Sequence, residues 1–219
     1  MIIKEILKGK TLARILMNEA ILIYTQKSPL AGQIIDFGSK SSNMSYNRFI
    51  KKTTDCIITY TDLNPQSEDV QKINLEEKFK IQDDAYDAIM CLNTLEHIYN
   101  FKNVIEESAR IVKKGGVFIG TTPFLVGYHP DPNDYFRYTI DAIERIFEES
   151  GFEKIEIKPL GFGPISTGLY NVVMLMPKPL RVLCMLKNIL LDKLLIFFTQ
   201  YRHGAKKYPL GYFFVFRKK

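Results

Sequence analysis

Two acidic residues close two short apolar runs, Asp36 in IIDFG (34–38) and Asp62 in TYTD (59–62). A carboxylate only accepts hydrogen bonds and takes two donors, so Asp62 at a strand tip suits the paired hydroxyls of a ribose. Gly38 lets the backbone come close to a ligand. A spacing of 26 residues between the two acids fits one βαβ step around a nucleotide-type cofactor. A turn-capping Asp36 and a solvated Asp62 in an Asp-Leu-Asn-Pro turn are the plainer alternatives.

Two further groups of side chains carry chemistry. Asn93, Thr94, Glu96 and His97 follow an apolar run at 87–92. Ligands sit at the carboxyl ends of strands in open α/β sheets, so this segment is expected to line a cleft. His97 titrates near working pH and suits a general base, or else orients its loop. His129, Asp131, Asp134, Tyr135, Arg137 and Tyr138 crowd one later segment. Planar polar groups meet sugar hydroxyls and aromatic rings meet the apolar sugar face. Arg137 also suits a bidentate grip on phosphate or carboxylate. An internal Asp–Arg–Tyr network that only shapes the loop competes with this reading. His129 is the first choice for a base. No His and carboxylate set at ligand spacing calls for a metal.

The elements that must position these groups alternate. Residues 5–26 read as a helical lead-in, with Leu12, Ile15, Leu16 and Ile23 near one face. Strands are expected at 33–37, 56–61, 71–73, 87–92, 117–121, 155–157 and 212–216. A poorly patterned return helix is expected at 43–51. The amphipathic helix 103–113 is expected to stop at Gly115-Gly116 in a left-handed cap, with Lys113 and Lys114 facing the negative end of its dipole. Thr139 reads as the N-cap of a helix over 140–150. A largely helical stretch runs from 161 to about Tyr201. Strands alternating with helices imply a mostly parallel sheet covered on both faces.

A chain of 219 residues reads as one domain over 1–219: a lead-in (1–30), a cofactor-binding core (30–160), a helical insertion (161–207) and a closing strand (208–219). The net charge of +6 favours anionic partners, but the basic residues form no long run, which argues against nucleic acid. Cys56, Cys91 and Cys184 are too far apart for a disulfide frame or a zinc site and suit a reducing compartment. The first ten residues break their apolar positions with charges, unlike a secretory signal. Residues 179–199 carry Arg181, Lys187, Asp192 and Lys193, too many charges for a membrane span. The segment suits a helix covering the sheet, a homodimer interface, or contact with the inner face of a membrane by a cytoplasmic protein.

Taken together the chain resembles the class I S-adenosylmethionine-dependent methyltransferases, closest to the small "type 11"-like group of surface-polysaccharide biosynthesis clusters. IIDFGSKSSN (34–43) stands where that family has its glycine-rich loop, and YTDLNP (60–65) where it has its acidic second-strand tip. YDAIMCLNTLEHIYN (86–100) and ARIVKKGGVFIGTTP (109–123) resemble its fourth strand, next helix and fifth strand. HPDPNDYFRYT (129–139) resembles its substrate loop. The likeness covers about residues 30–160 and the closing strand YPLGYFFVFRKK (208–219). It departs at the loop, where Ser39, Lys40, Ser41 and Ser42 follow Gly38 in place of further glycines.

The resemblance implies a Rossmann-like, mostly parallel seven-stranded sheet with helices on both faces and a helical insertion before the last strand. It implies S-adenosyl-L-methionine as cofactor, held by Asp36, Gly38, Asp62, Leu63, Asn74, Leu75, Asn93 and Thr94. Asp36 would serve the methionine ammonium, and Asn74 and Leu75 the adenine. His129 or His97 would act as base, and Tyr135, Arg137 and Tyr138 would meet the acceptor. The expected reaction is O-methylation of a sugar or glycan-precursor hydroxyl. Alternatives are a non-catalytic scaffold in a glycan assembly complex and an enzyme acting on a lipid-like quinone precursor or small metabolite.

Overall fold

The computed structural model describes residues 2–199 and 204–219. The expected end of the insertion at Tyr201 lies outside the described residues. Among those residues, seven strands form one sheet in the order β3-β2-β1-β4-β5-β7-β6. They are β1 (Gln33–Phe37), β2 (Ile57–Asp62), β3 (Val70–Lys72), β4 (Tyr86–Leu92), β5 (Val112–Pro123), β6 (Phe152–Leu160) and β7 (Gly211–Lys218). β3, β2, β1, β4 and β5 are parallel, and β7 runs antiparallel between β5 and β6. The sheet is the expected mostly parallel, Rossmann-like one, with an antiparallel end.

Alternate residues of each buried strand enter opposite layers, as the two-residue strand period requires. Ile34, Met90, Phe213 and Val215 join one core; Ile35, Ile89, Phe214 and Phe216 join the other. Helices α1 (Ile2–Leu7) and α2 (Leu12–Lys27) cover the first face. Helices α3 (Phe101–Ile111) and α4 (Ile140–Glu149) cover the second. Thr139 caps α4 as its sequence predicts, its Oγ1 accepting from Ala142 N at 3.2 Å. The insertion holds short helices α5 (Pro164–Gly168) and α6 (Tyr170–Met174) and the long α7 (Lys178–Thr199); α8 (Gly204–Lys207) follows. Buried Asp192 of α7 accepts from the Ile165 and Ser166 amides at 2.9 and 2.8 Å, which fixes the start of α5 on α7.

Three local readings change. The lead-in is two helices rather than one, parted near Gly9, whose φ is +80°. Residues 43–51 hold only a single 3-10 turn, Asn47–Phe49. Side chains hold that segment instead: Asn47 Nδ2 donates to Ser42 O at 2.6 Å, and the Tyr46 ring is buried. α3 ends at Ile111, before the glycines. The chain turns at once into β5, and the register slips between Tyr86↔Val112 and Ala88↔Val117. Gly115 does take a positive φ of +79°, but inside this irregular stretch. Lys113 pairs with Asp87 (2.8 and 2.9 Å) rather than with the helix end.

Candidate active site

The chain steps from β1 to β2 to β3 on one side, then returns to place β4 on the other side of β1. That reversal makes a crevice beyond the carboxyl ends of β1, β2 and β4, the place where such sheets bind ligands. The register sets Phe37 beside both Thr61 and Cys91, so Gly38, Asp62 and the segment after Leu92 meet there. A cleft of about 540 Å³ occupies the spot, within the range of small-molecule sites. Of the residues singled out in the sequence, Gly38, Asp62, Leu63, Asn74, Leu75, Asn93, Thr94, His97 and Tyr135 line it.

Gly38 has φ +75°, and a Cβ there would sit 2.4 Å from Thr94 Oγ1. Both facts demand glycine at this point. Thr94 Oγ1 donates to Phe37 O at 3.1 Å, so the floor of the cleft is drawn tight from both sides. The serine after it has a role as well. Ser39 is fully buried, its hydroxyl donates to Asp36 O at 3.0 Å and its amide donates to Thr61 O at 2.9 Å. A hydroxyl therefore locks the turn where further glycines are absent. Lys40 reaches across the cleft to Asp131 at 2.6 Å.

Asp62 Oδ1 accepts from Asn64 N at 2.8 Å. Oδ2 has no protein partner among the described residues, which leaves it for a ligand. Asn93 adopts φ +54°, a conformation asparagine tolerates better than most residues, and its Oδ1 accepts from Thr121 Oγ1 at 2.8 Å. Asn74 spends its amide within its own loop, accepting from Glu76 N at 3.1 Å and donating to Glu77 at 2.7 Å. Ile73 and Leu75 give that end of the cleft an apolar wall.

Asp36 is placed differently from the expected cofactor contact. It is fully buried behind the cleft and does not line it. Tyr46 donates to its Oδ2 at 2.6 Å, and its Oδ1 has no partner. Burial pushes its carboxyl up to about 7, against the lowering effect of the Tyr46 and Ser39 hydrogen bonds. In the unfolded chain the group titrates near 3.8, so between about pH 4 and 7 the folded protein holds a proton that the unfolded chain has released. This site's contribution to stability is therefore full below about pH 4 and is lost as pH rises through 7. Asp36→Asn is expected to flatten that slope and to make the protein more stable than the parent at pH 8, with little difference at pH 4. Urea midpoints at the two pH values check this.

The loop after β5 is held by its own polar groups. Arg137 donates from Nη1 and Nη2 to Asp134 at 2.5 and 2.6 Å and from Nη1 to Phe136 O at 2.8 Å. The guanidinium draws the Asp134 carboxyl down to about 2, outweighing the effect of its burial. Tyr138 is buried, and its hydroxyl donates to Leu95 O at 3.3 Å. Neither Arg137 nor Tyr138 reaches the cleft, because each is engaged in fixing the loop. Tyr135 does reach it, with its ring 5.3 Å from that of Tyr99.

His129 lies just outside the lining residues but beside His97, with the two rings edge to face at 5.3 Å. Between them is Glu96, fully buried, with neither carboxylate oxygen hydrogen-bonded. Its Oε1 lies 3.8 Å from Nε2 of both histidines. The Glu96 carboxylate raises the pKa of the His129 imidazole, partly opposed by burial. Sequence spacing hides this trio, because His129 arrives from a loop 32 residues further along the chain. The other lining residues missed in the sequence, among them Lys40, Gln66 and Asn133, are polar loop positions with no pattern to mark them. Cys91 is no nucleophile, since burial pushes its thiol well above the ordinary range.

Residues 46–120 match the protein family described as a methyltransferase domain. The ubiquinone biosynthesis O-methyltransferase of Dechloromonas aromatica (strain RCB) is 44% identical over 57 residues, 26% of this chain and 25% of that protein. The chain thus matches about a quarter of the length of that curated relative. Among solved structures, the [4+2]-cyclase SpnF superposes with a TM-score of 0.56 at 14% identity, covering 92% of this chain and 80% of that one. Haemonchus contortus phosphoethanolamine N-methyltransferase 2, in complex with S-adenosyl-L-methionine, superposes with a TM-score of 0.56 at 14% identity, covering 92% and 52%. These likenesses show a fold shared with a methyltransferase and with a cyclase.

Proposed function

We propose that the protein is an S-adenosylmethionine-dependent methyltransferase acting on a hydroxyl acceptor. The observation that carries this reading is the meeting, at one crevice, of the Gly38 turn, the Asp62 carboxylate and the Glu96–His97–His129 group. The cofactor supplies an electrophilic methyl on a sulfonium and is released as S-adenosylhomocysteine. The residues present fit it. Asp62 takes the ribose hydroxyls, Ile73 and Leu75 flank the adenine, and Gly38, Asn93 and Thr94 let the rest lie close to the backbone. Asp36 acts from behind the floor by fixing the turn through which the methionine part is held. Lys40 and Asp131 close over the cleft and help exclude water.

Alignment of acceptor and methyl group is the chain's main contribution. With the cofactor held by Asp62 and the Gly38 turn, the acceptor oxygen would take the methyl carbon while the sulfur kept the electron pair of the broken sulfur–carbon bond. The hydroxyl proton passes to the histidine pair, His129 first, with Glu96 behind it to hold the positive charge. Tyr135 lines the cleft, with the exposed Tyr99 ring edge to face beside it, and such an aromatic wall suits a sugar or glycan precursor. Arg137 and Tyr138 serve the acceptor indirectly by setting the loop that carries Tyr135.

A lipid-like acceptor is the second reading, favoured by one feature of α7. Leu183, Leu190, Phe197 and Phe198 are exposed there, the two phenylalanines at 76% each, beside Lys187 and Lys193. No helix among the described residues is long and apolar enough to cross a membrane. Such a face suits the surface of an anionic bilayer, with pairing of two copies as the alternative. The free cysteines suit a cytoplasmic location.

Calorimetric titration with S-adenosylmethionine and S-adenosylhomocysteine tests the core of the proposal. Binding near micromolar, about 8 kcal/mol, supports it. A folded protein that takes up neither ligand sinks the enzyme reading and leaves a scaffold role.

A further inference from the structure

We propose that Glu96, His97 and His129 form a binding site for one divalent transition-metal cation of the zinc class at the acceptor end of the cleft. The three residues bring ligand atoms within 4.8 Å of one another. The set of two histidines and one carboxylate is a recognised zinc set that leaves a coordination position open. Ligand atoms around a tetrahedral cation at about 2.0–2.2 Å lie roughly 3.4 Å apart. The observed 3.8 Å from Glu96 Oε1 to each Nε2 needs a few tenths of an ångström of closure, and the two histidine nitrogens, within 4.8 Å of each other, draw together by a side-chain turn of the half-exposed His129.

Hydrogen bonds on the far side of each ring point the same way. His97 Nδ1 lies 2.5 Å from Asn133 O. A carbonyl only accepts, so Nδ1 carries the proton and Nε2 keeps its lone pair. His129 Nδ1 lies 3.0 Å from Gly127 O and 3.6 Å from Asp134. Arg137 Nη2, at 3.3 Å, can only donate to that nitrogen, but the Gly127 carbonyl at 3.0 Å is the closer partner and sets the proton on Nδ1. The His129 Nε2 then also faces Glu96 as a lone pair. Backbone carbonyls that hold the distal nitrogen of a histidine are the usual support behind a metal ligand.

The unpartnered carboxylate is the second, independent sign. A buried charged group without hydrogen bonds costs several kcal/mol, and such groups in native proteins are paired or hold metals. Glu96 is fully buried, and both of its oxygens lack a partner. Two lone pairs and one carboxylate facing a common point form an acceptor-only nest that a cation satisfies. Its opening is the cleft, since His97 is a lining residue and the His129 side chain is 39% exposed.

This assignment deepens the methyl-transfer reading, and its proposed role rests on it. In the open position the cation takes the acceptor hydroxyl and lowers its pKa. The O–H bond breaks, the proton leaves to water through the mouth, and the electron pair stays on the oxygen that attacks the methyl. The two imidazoles then serve as ligands, not as the base.

The test is metal binding by the whole chain after chelator treatment. Titration with Co²⁺ alone, followed by visible absorption, is expected to show one equivalent with four- or five-coordinate bands. Calorimetry with Zn²⁺ alone is expected to give the same stoichiometry. Glu96→Gln and His129→Ala should each weaken binding by more than a hundredfold. Loss of a direct ligand should exceed the tenfold to hundredfold effect of a supporting partner. His129 is half-exposed on a loop, so its variant keeps the test open if Glu96→Gln fails to fold. Absence of a stoichiometric site in the parent, or equal affinity in parent and His129→Ala, overturns the assignment. S-adenosylhomocysteine binding by the same samples separates the two ideas. A protein that binds the nucleoside but no metal loses only the cation and returns the proton to His129.

Discussion

Asp62→Ala is expected to weaken S-adenosylmethionine binding by about 100-fold, with the fold intact. A hydrogen bond to a charged group contributes about 1.5–3 kcal/mol, and in the proposed complex two ribose hydroxyls would meet this one carboxylate. Loss of both amounts to about 3 kcal/mol, a little over two powers of ten. Asp62 lies at the end of β2 on the cleft wall, and among the described residues the one partner of its carboxylate is the Asn64 amide in its own turn. Removing the carboxylate disturbs no packed neighbour, so the melting temperature should move little. Asp62→Asn keeps one acceptor and should fall between the two. Calorimetry on the three proteins decides, and equal affinities would remove Asp62 from the ribose site.

Phe147→Ala is expected to cost about 3–5 kcal/mol of stability, the usual range for emptying a large aromatic site in a core. Phe147 is fully buried at the centre of an aromatic group. Its ring stacks on Phe216 at 4.3 Å and meets Phe118, Phe152 and Phe214 at 4.8, 5.5 and 5.5 Å. Those rings belong to β5, β6 and β7, so one side chain of α4 ties together the end of the sheet where strand direction reverses. β5 and β7 are hydrogen-bonded on both sides and cannot collapse into the void. For a chain of this size the loss lowers the melting temperature by roughly 10 °C. Nucleoside affinity of the folded fraction should be unchanged. Denaturant unfolding followed by circular dichroism measures the first effect, and titration below the transition the second.

The parts of the fold legible in the sequence are those whose pattern has a local cause. β1 runs over 33–37 as expected, because an apolar run bounded by Pro29, Gly32 and Gly38 has little choice. α4 starts where Thr139 supplies a cap. The segment 43–51 was not legible, because Tyr46 and Asn47 give their side chains to Asp36, Ser42 and Tyr60, outside any helical spacing. The early end of α3 was hidden for a related reason. Lys113 has a distant partner in Asp87, and a tertiary ion pair outweighs the weak pull of a helix end.

The site divides on the same line. Gly38, Asp62, Asn93 and Thr94 follow strand ends, and the topology alone carries such positions into the cleft. Residues of the 129–138 loop could not be sorted by type. Arg137 and Tyr138 have the chemistry of ligand contacts, yet the loop uses both to hold itself in place. Asp36 reads as a cleft residue from its position but faces the layer behind. Glu96 gives the converse case: a charged residue in a polar segment, it is fully buried between two imidazoles. Its character depends on a loop that no local signal connects to it.

β7 is the last strand to be made, yet it lies inside the sheet rather than at its edge. While the chain is still being synthesised, β5 has no neighbour on that side and β6 has none at all. The aromatic faces of Phe118, Phe147 and Phe152 wait uncovered until residues 211–218 leave the ribosome. Completion of the sheet therefore waits for residues 211–218. Its pairings span about 90 residues of chain, the kind of long-range closure that slows folding. A nascent chain paused before residue 211 presents a sticky half-sheet, and that interval is when the molecule is most exposed to aggregation.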